Sequence, residues 1–342
     1  MTRTEEETMY AVVVSAPDRL DVAQVPDPAP APDGVVIAVR SCGICGTDLH
    51  LVGGDLGVDR LPLIPGHEPY GEVVAVGHEV GGYAVGDLVA VDPSLHCGRC
   101  DPCRRGQGNM CRRWGAIGAT SPGAWAQFTA VPEANLYRLP EPFPLEAAPL
   151  AEPVACAVRG LHRLNPRPDE PAIVFGGGTM GLILAIMLDL RGVGPVTVVD
   201  VNPARRRLAE RLTGARACDP EEAAQLRAPW VIEATGNPRA FAQALDCVAR
   251  AGHLLVFGVA SPQATAAVSP YRIYADELTI VGSMAILNSF PPAIDLVRRH
   301  ADRLAPLVTD RFGLDRIDDA LALVRSGRTV KTVLTPDAEA RP

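Results

Sequence analysis

Ala172-Ile173-Val174-Phe175 runs directly into Gly176-Gly177-Gly178-Thr179-Met180-Gly181, and the reading of this stretch decides the fold. The four apolar residues make a short buried strand, and Thr179 to Leu190 makes an apolar helix. The glycines between them match G-x-G-x-x-G in the strand-turn-helix context that the pattern needs. Gly176 allows the tight turn, and Gly178 lets the backbone approach a pyrophosphate at the helix N-terminus. Gly181 permits close packing of helix on strand, so Thr179 and Met180 open the helix at the phosphate site. Asp200 closes the next apolar run, Val196 to Asp200, and is placed to accept a hydrogen bond from a ribose 2′-hydroxyl. Its charge repels a 2′-phosphate, which favours NAD over NADP; the cations Arg205 to Arg207 soften that preference. A similar domain holding another nucleotide is the alternative at this point.

Outward from the turn, Pro203 to Leu212 reads as a charged surface helix, while Val231 to Ala234 and His253 to Phe257 repeat the short apolar strand. Strands alternating with helices make a parallel, doubly wound sheet. Residues from about 9 to 150 differ: they are rich in Pro, Gly, Val and Cys, with short runs such as Val35 to Val39 and Glu72 to Val76. That texture suggests a β-rich unit. After residue 290 come helical stretches at Pro292 to His300 and Ile317 to Ser326, then a strand from Thr329 to Leu334. Pattern alone does not assign this tail to either domain. Residues 1–8 and 337–342 look like loose ends.

The 342 residues suffice for about two domains. With 47% hydrophobic and 21% charged residues, the composition is that of a soluble globular protein. Thirty-two basic against 40 acidic residues give a net charge of −8, which argues against nucleic acid as a partner. Lys331 is the only lysine among the basic residues. No apolar run reaches the roughly 18 residues that span a bilayer, which speaks against membrane insertion. Met1 to Thr8 is polar and acidic, unlike a secretory signal. The nine cysteines are an odd number, and a small secreted disulfide scaffold is excluded by size. The expectation is a cytoplasmic protein with reduced, partly metal-bound cysteines.

Cys97, Cys100, Cys103 and Cys111 follow C-x2-C-x2-C-x7-C, a spacing at which four thiolates converge on one structural zinc. An iron–sulfur site is the rival, but its usual run has three residues before the last cysteine and a proline after it. A second constellation joins Gly43-Ile44-Cys45-Gly46-Thr47-Asp48-Leu49-His50 to Gly66-His67-Glu68. A thiolate, an imidazole and a carboxylate make three ligands and leave the fourth position of a catalytic zinc open. Taken singly, Cys45 could be a buried hydrophobe and His67 a structural histidine. Thr47 could hold a substrate proton and His50 pass it to solvent; a capping threonine and a surface histidine are the bland alternatives. Glu152, in Leu150-Ala151-Glu152-Pro153, is a carboxylate in an apolar stretch that a metal or its water would satisfy; an exposed acid in a linker is the alternative.

In combination these motifs resemble the zinc-dependent medium-chain alcohol/polyol dehydrogenases, in their sorbitol, arabinitol and threonine dehydrogenase-like branch. The resemblance runs from about Met9 to Pro336. It implies an α/β protein: a GroES-like β-rich catalytic domain at 1–152 with a structural-zinc lobe at about 93–113, a Rossmann domain at 153–290, and a return to the catalytic domain at 291–342. It implies two zinc ions per chain. Cys45 and His67 then ligate the catalytic ion, with Glu68 or Glu152 as the acidic ligand; Leu150 to Pro153 matches the polyol and threonine branches. Arg205, Thr235, Gly258 and Ser283 complete the candidate cofactor contacts beside Gly176, Gly178, Thr179, Met180, Gly181 and Asp200. The segment Tyr271 to Met284 resembles the family's subunit-pairing edge strand, which implies a homotetramer or homodimer. The implied chemistry is reversible oxidation of a secondary alcohol in a polyol, cyclitol or amino alcohol to the ketone, with hydride passed to NAD. Threonine or butanediol oxidation, a biosynthetic carbonyl reductase, a zinc-free reductase and a non-catalytic NAD-binding relative are the rivals. Trp114, Trp125, Asn288 and Phe290 are candidate pocket residues.

Overall fold

The computed structural model describes residues 7–55 and 57–337. Along the chain run β1 (Thr8–Ala16), β2 (Arg19–Pro26), β3 (Gly34–Gly43), helix α1 (Gly46–Val52), β4 (Glu68–Val76) and β5 (Leu88–Val91). Then come β6 (Ser94–Leu95), α2 (Asp101–Arg104), β7 (Gly115–Ala116), β8 (Phe128–Pro132), β9 (Leu136–Arg138) and α3 (Ala151–Leu164). A second set follows: β10 (Ala172–Phe175), α4 (Thr179–Leu190), β11 (Val196–Val199), α5 (Pro203–Thr213), β12 (Arg216–Cys218), β13 (Ala228–Glu233), β14 (Val248–Val256) and β15 (Thr279–Gly282). The chain ends with β16 (Val308–Phe312) and β17 (Lys331–Leu334). It divides into two compact units, one of residues 1–152, 290–301 and 308–342, the other of 153–289 and 302–307.

In the first unit a seven-stranded sheet runs β16-β17-β3-β4-β5-β9, with β8 also on β3. β3 is its spine and is buried along nearly its whole length. Alternation persists, but between two cores rather than between core and water. Val35, Ile37 and Val39 join the cluster around Val12, Val73 and Trp125, whereas Val36 and Ala38 join Met9, Ala11 and Phe128. One edge of β3 is shared: β8 pairs with Gly34 to Ala38, and β17 takes over at Cys42 and Gly43. The C-terminal strand is thereby laid beside the segment that leads into Cys45. Two of the expected loose ends are tied down, since Thr8 pairs with Pro26 and the Asp337 carbonyl accepts from Gln127 Nε2. Residues 1–6 and 338–342 lie outside the described residues.

The second unit is a parallel sheet in the order β12-β11-β10-β13-β14-β15. This is the doubly wound arrangement, in which strand order reverses beside the first strand and leaves a ligand site at the strand C-termini. α4 is buried from Gly181 to Leu188 because its sequence is apolar on every face. α5 is the opposite, a surface helix started by the Asn202 side chain, which accepts from the Ala204 N–H at 2.9 Å, and ended by Gly214 in the left-handed region. β13 and β14 begin earlier than their apolar runs do. Trp230 stacks on His253, and the polar Arg250 and Gly252 conceal the first half of β14 from a reading based on apolarity. In the first unit, the helix expected from Pro292 starts at Phe290, because prolines fit a first turn whose N–H groups need no partner.

Candidate metal and nucleotide sites

Cys45 sits at the N-cap of α1, and the Asp48 carboxylate reaches back to accept from the Cys45 N–H at 2.8 Å. The other oxygen of Asp48 meets His67 Nδ1 at 3.2 Å. Asp48 is 1% exposed, so one buried carboxylate orients both the thiol's backbone and the imidazole, which also hydrogen-bonds the Cys45 side chain. His67 leaves a tight bend at Gly66, whose φ of 97° and contact with the Trp125 indole demand glycine. Glu68 then opens β4. Ligand atoms of Cys45, His67 and Glu68 lie within 4.8 Å of one another, a soft thiolate, an imidazole and a carboxylate that suit zinc. Burial opposes a charge on His67, but Asp48 and Cys45 outweigh it and hold its pKa well above the usual histidine value.

Glu152 is not in that group; it lies on α3, and its charge is felt at Lys331. Thr47 Oγ1 is 3.9 Å from Cys45 Sγ, beside the candidate metal ligands. His50 lies on the same helix toward solvent, its Nδ1 3.0 Å from Asp55 Oδ2. Glu68 is only 2% exposed and forms an ion pair with Lys331, which also donates from Nζ to the Ile44 carbonyl at 3.0 Å. Burial disfavours the lysine's charge, yet Glu68 first, then Cys45 and Glu152, raise its pKa above the ordinary value. Sequence reasoning missed Asp48 and Lys331. A carboxylate inside the Cys45 motif was a signal for the first, and the solitary lysine was one for the second. Of the pocket candidates, Trp125 and Phe290 are 0% and 1% exposed, the former packed on Gly66 and the latter stacked on Tyr137, so both are core residues.

The four lobe cysteines also converge within 4.8 Å. Cys100 Sγ is 3.4 Å from Cys103 Sγ and 3.8 Å from Cys111 Sγ. A tetrahedron with Zn–S bonds of about 2.3 Å has edges of about 3.8 Å, so the sulfurs stand where a zinc needs them. Backbone N–H groups of Cys97 and Arg113 point at Cys111 Sγ, both at 3.3 Å. Hydrogen bonds with the backbone of Arg99 and Cys100 pull the Cys97 thiol down to about 5, which favours the thiolate a metal requires.

In the second unit, the Gly176 N–H donates to the Val199 carbonyl at 2.8 Å, and a Cβ on Gly181 would collide with the Gly176 carbonyl. Gly178 caps α4, with Thr179 and Met180 as its first residues. Asp200 Oδ2 accepts from Gly177 N–H at 2.8 Å and Oδ1 from Asn202 N–H at 2.7 Å, while Arg205 Nη1 stands 4.0 Å from Oδ2. Thr235 follows β13, Gly258 follows β14 and Ser283 follows β15, so all three lie at the same C-terminal edge as the glycine turn. Glu233, not anticipated, braces this edge: its buried carboxylate accepts from the N–H groups of Thr235 and Gly236 at 2.6 and 3.0 Å.

Residues 31–141 match the family model of the alcohol dehydrogenase GroES-like domain, and residues 179–299 match that of zinc-binding dehydrogenases. The chain is 34% identical over 316 residues to D-altritol 5-dehydrogenase of Agrobacterium fabrum, covering 90% of this chain and 94% of that protein. It is 31% identical to D-arabinitol dehydrogenase 1 of Uromyces fabae, over 98% of this chain and 99% of the other. Among solved structures, a zinc-binding dehydrogenase of Sinorhizobium meliloti 1021 bound to NADP superposes with a TM-score of 0.91 at 29% identity, covering 96% and 99% of the two chains.

Proposed function

From the premise that the chain belongs to the zinc-dependent medium-chain alcohol/polyol dehydrogenases, we propose that it oxidises a secondary alcohol of a polyol reversibly to the ketone, with NAD as the hydride acceptor. The observation that carries this reading is the convergence of Cys45, His67 and Glu68 beside the Thr47 hydroxyl. Zinc held there supplies the Lewis acidity that lowers the substrate hydroxyl's pKa, and NAD supplies the electrophile for the hydride of the carbinol carbon. Thr47 Oγ1 accepts the hydroxyl proton while giving up its own, and His50, steadied by Asp55, takes up the relayed proton and releases one to solvent. Asp48 keeps His67 Nδ1 engaged so that Nε2 faces the metal. Cys97, Cys100, Cys103 and Cys111 hold the second zinc, with no coordination position left for chemistry.

A polyol is favoured by the two curated relatives, whose names specify altritol and arabinitol. The preference for NAD rests on Asp200, since the Sinorhizobium neighbour shows that the fold also accepts NADP. We assign a homodimer or homotetramer on the edge strand β15, where Ile280 is exposed, and on the helix Pro270–Ala275 before it, where Tyr271 and Tyr274 are 75% and 80% exposed. Light scattering on the purified protein tests this, and a monomer refutes it. Nine free thiols, eight of them assigned to the two metal sites or buried, suit the reducing cytoplasm. The test of function is NADH or NADPH formation across polyols, cyclitols, amino alcohols and simple secondary alcohols. Turnover of a polyol with NAD is expected. Turnover of threonine or butanediol alone, or none by a zinc-loaded, NADH-binding preparation, refutes it.

A further inference from the structure

One basic residue departs from the rule that governs all the others. Of the 32 lysine and arginine residues every one except Lys331 is an arginine, and among the described residues Lys331 is the most deeply buried of them, 2% exposed. Its surroundings explain why the compact ammonium stands there. A Cβ on Gly43 would lie 2.6 Å from Lys331 Cε and 2.9 Å from Nζ, and would collide with Glu68 Oε2. The space for the pair exists because residue 43 is glycine, and a branched planar guanidinium demands more of it. From β17 the side chain crosses to β3 and β4. Nζ donates to the carbonyl of Ile44, which adjoins Cys45, and pairs with Glu68, which adjoins His67. The same strand holds Ile44 a second time, for the Thr332 carbonyl accepts from the Ile44 N–H at 2.9 Å. One ammonium thus ties together the two backbone segments that carry the metal-ligating side chains.

We propose that Lys331 is a positioning residue for the catalytic metal: by bridging Ile44 and Glu68 in the space left by Gly43, it sets the separation of the Cys45 and His67-Glu68 segments and so the affinity and geometry of the site. This role rests on the zinc reading of that site. Removing the bridge leaves Glu68 buried without its cation and frees the two segments from each other. Loss of such supporting contacts weakens metal binding about 10–100-fold.

The test is chelator competition for zinc, together with the d–d spectrum of the cobalt-substituted protein, on wild type, Lys331→Met, Lys331→Arg and Gly43→Ala. The expected result is a 10–100-fold loss of affinity confined to one of two metals in Lys331→Met, with an altered cobalt spectrum and the four-cysteine metal retained. Lys331→Arg, which keeps the cation, recovers part of the loss, and Gly43→Ala reproduces the altered spectrum by displacing the pair. Wild-type affinity and spectrum in Lys331→Met overturn the proposal. If Lys331→Met yields no folded protein, Gly43→Ala decides in the same way, because it disturbs the pair while keeping both charges. A wild-type protein that takes up one metal alone refutes the zinc reading of the site instead.

Discussion

Replacing Asp48 by Asn tests how the imidazole is held. The change is nearly isosteric, so packing around this 1% exposed side chain is conserved and only its hydrogen-bonding capacity alters. Aspartate accepts twice, from the Cys45 N–H at 2.8 Å and from His67 Nδ1 at 3.2 Å. Asparagine has one acceptor oxygen and one amide donor. If the oxygen stays with the Cys45 N–H, the amide faces His67 Nδ1 and turns it into an acceptor. The ring proton then moves to Nε2, the nitrogen needed for the metal. If the amide flips, the Cys45 N–H is left buried without a partner, at a cost of about 1–3 kcal/mol. Either way zinc must overcome the wrong arrangement. The expected loss is about 10–100-fold in affinity, or about 1.4–2.7 kcal/mol. Titration of metal-free protein against a chromophoric chelator measures it, with the four-cysteine site as internal control. Asp48→Asn binding the catalytic metal as tightly as wild type would refute the argument that this carboxylate selects the ligating nitrogen.

Three further outcomes are expected. Gly181→Ala forces a methyl into the Gly176 carbonyl, and overpacking of this kind costs about 1–3 kcal/mol; NADH titration followed by fluorescence should show binding weakened at least about fivefold while metal content stays unchanged. Cys103→Ser should lose one zinc equivalent by elemental analysis and lower the thermal midpoint, since a closed thiolate site contributes folding free energy; an unchanged midpoint contradicts a structural role. Burial pushes the Cys247 thiol up to about 11, so at pH 8 about one molecule in a thousand carries its thiolate. Iodoacetamide should leave Cys247 unlabelled in the native protein, and rapid labelling seen by peptide mass mapping shows that the side chain is accessible.

The parts of the site most directly legible in the residues are those whose partners are close in the chain. The four cysteines fall between 97 and 111, and the nucleotide turn joins a strand to the helix that follows it at once. Spacing alone then restricts what the side chains can do together, as the 3.4 and 3.8 Å sulfur separations show. Helices α4 and α5 were equally readable, because periodicity and caps are local. The starts of β13 and β14 were less so, since partner strands and the Trp230–His253 stack supply what their sequences lack in apolarity.

Residue types and spacing by themselves marked the α/β class, the nucleotide turn and the candidate metal donors. Only the tertiary structure set a carboxylate oxygen of Glu68 within 4.8 Å of the Cys45 and His67 donor atoms. It alone also set Lys331 on Ile44, 287 residues away, and Asp48 on His67, 19 residues away. The reason is physical. A short loop closes with few conformations to lose, so the sequence restricts its contacts directly. A contact across hundreds of residues forms when the strands between have been packed, and its identity is written in the register of β17 on β3 rather than in either residue's neighbours.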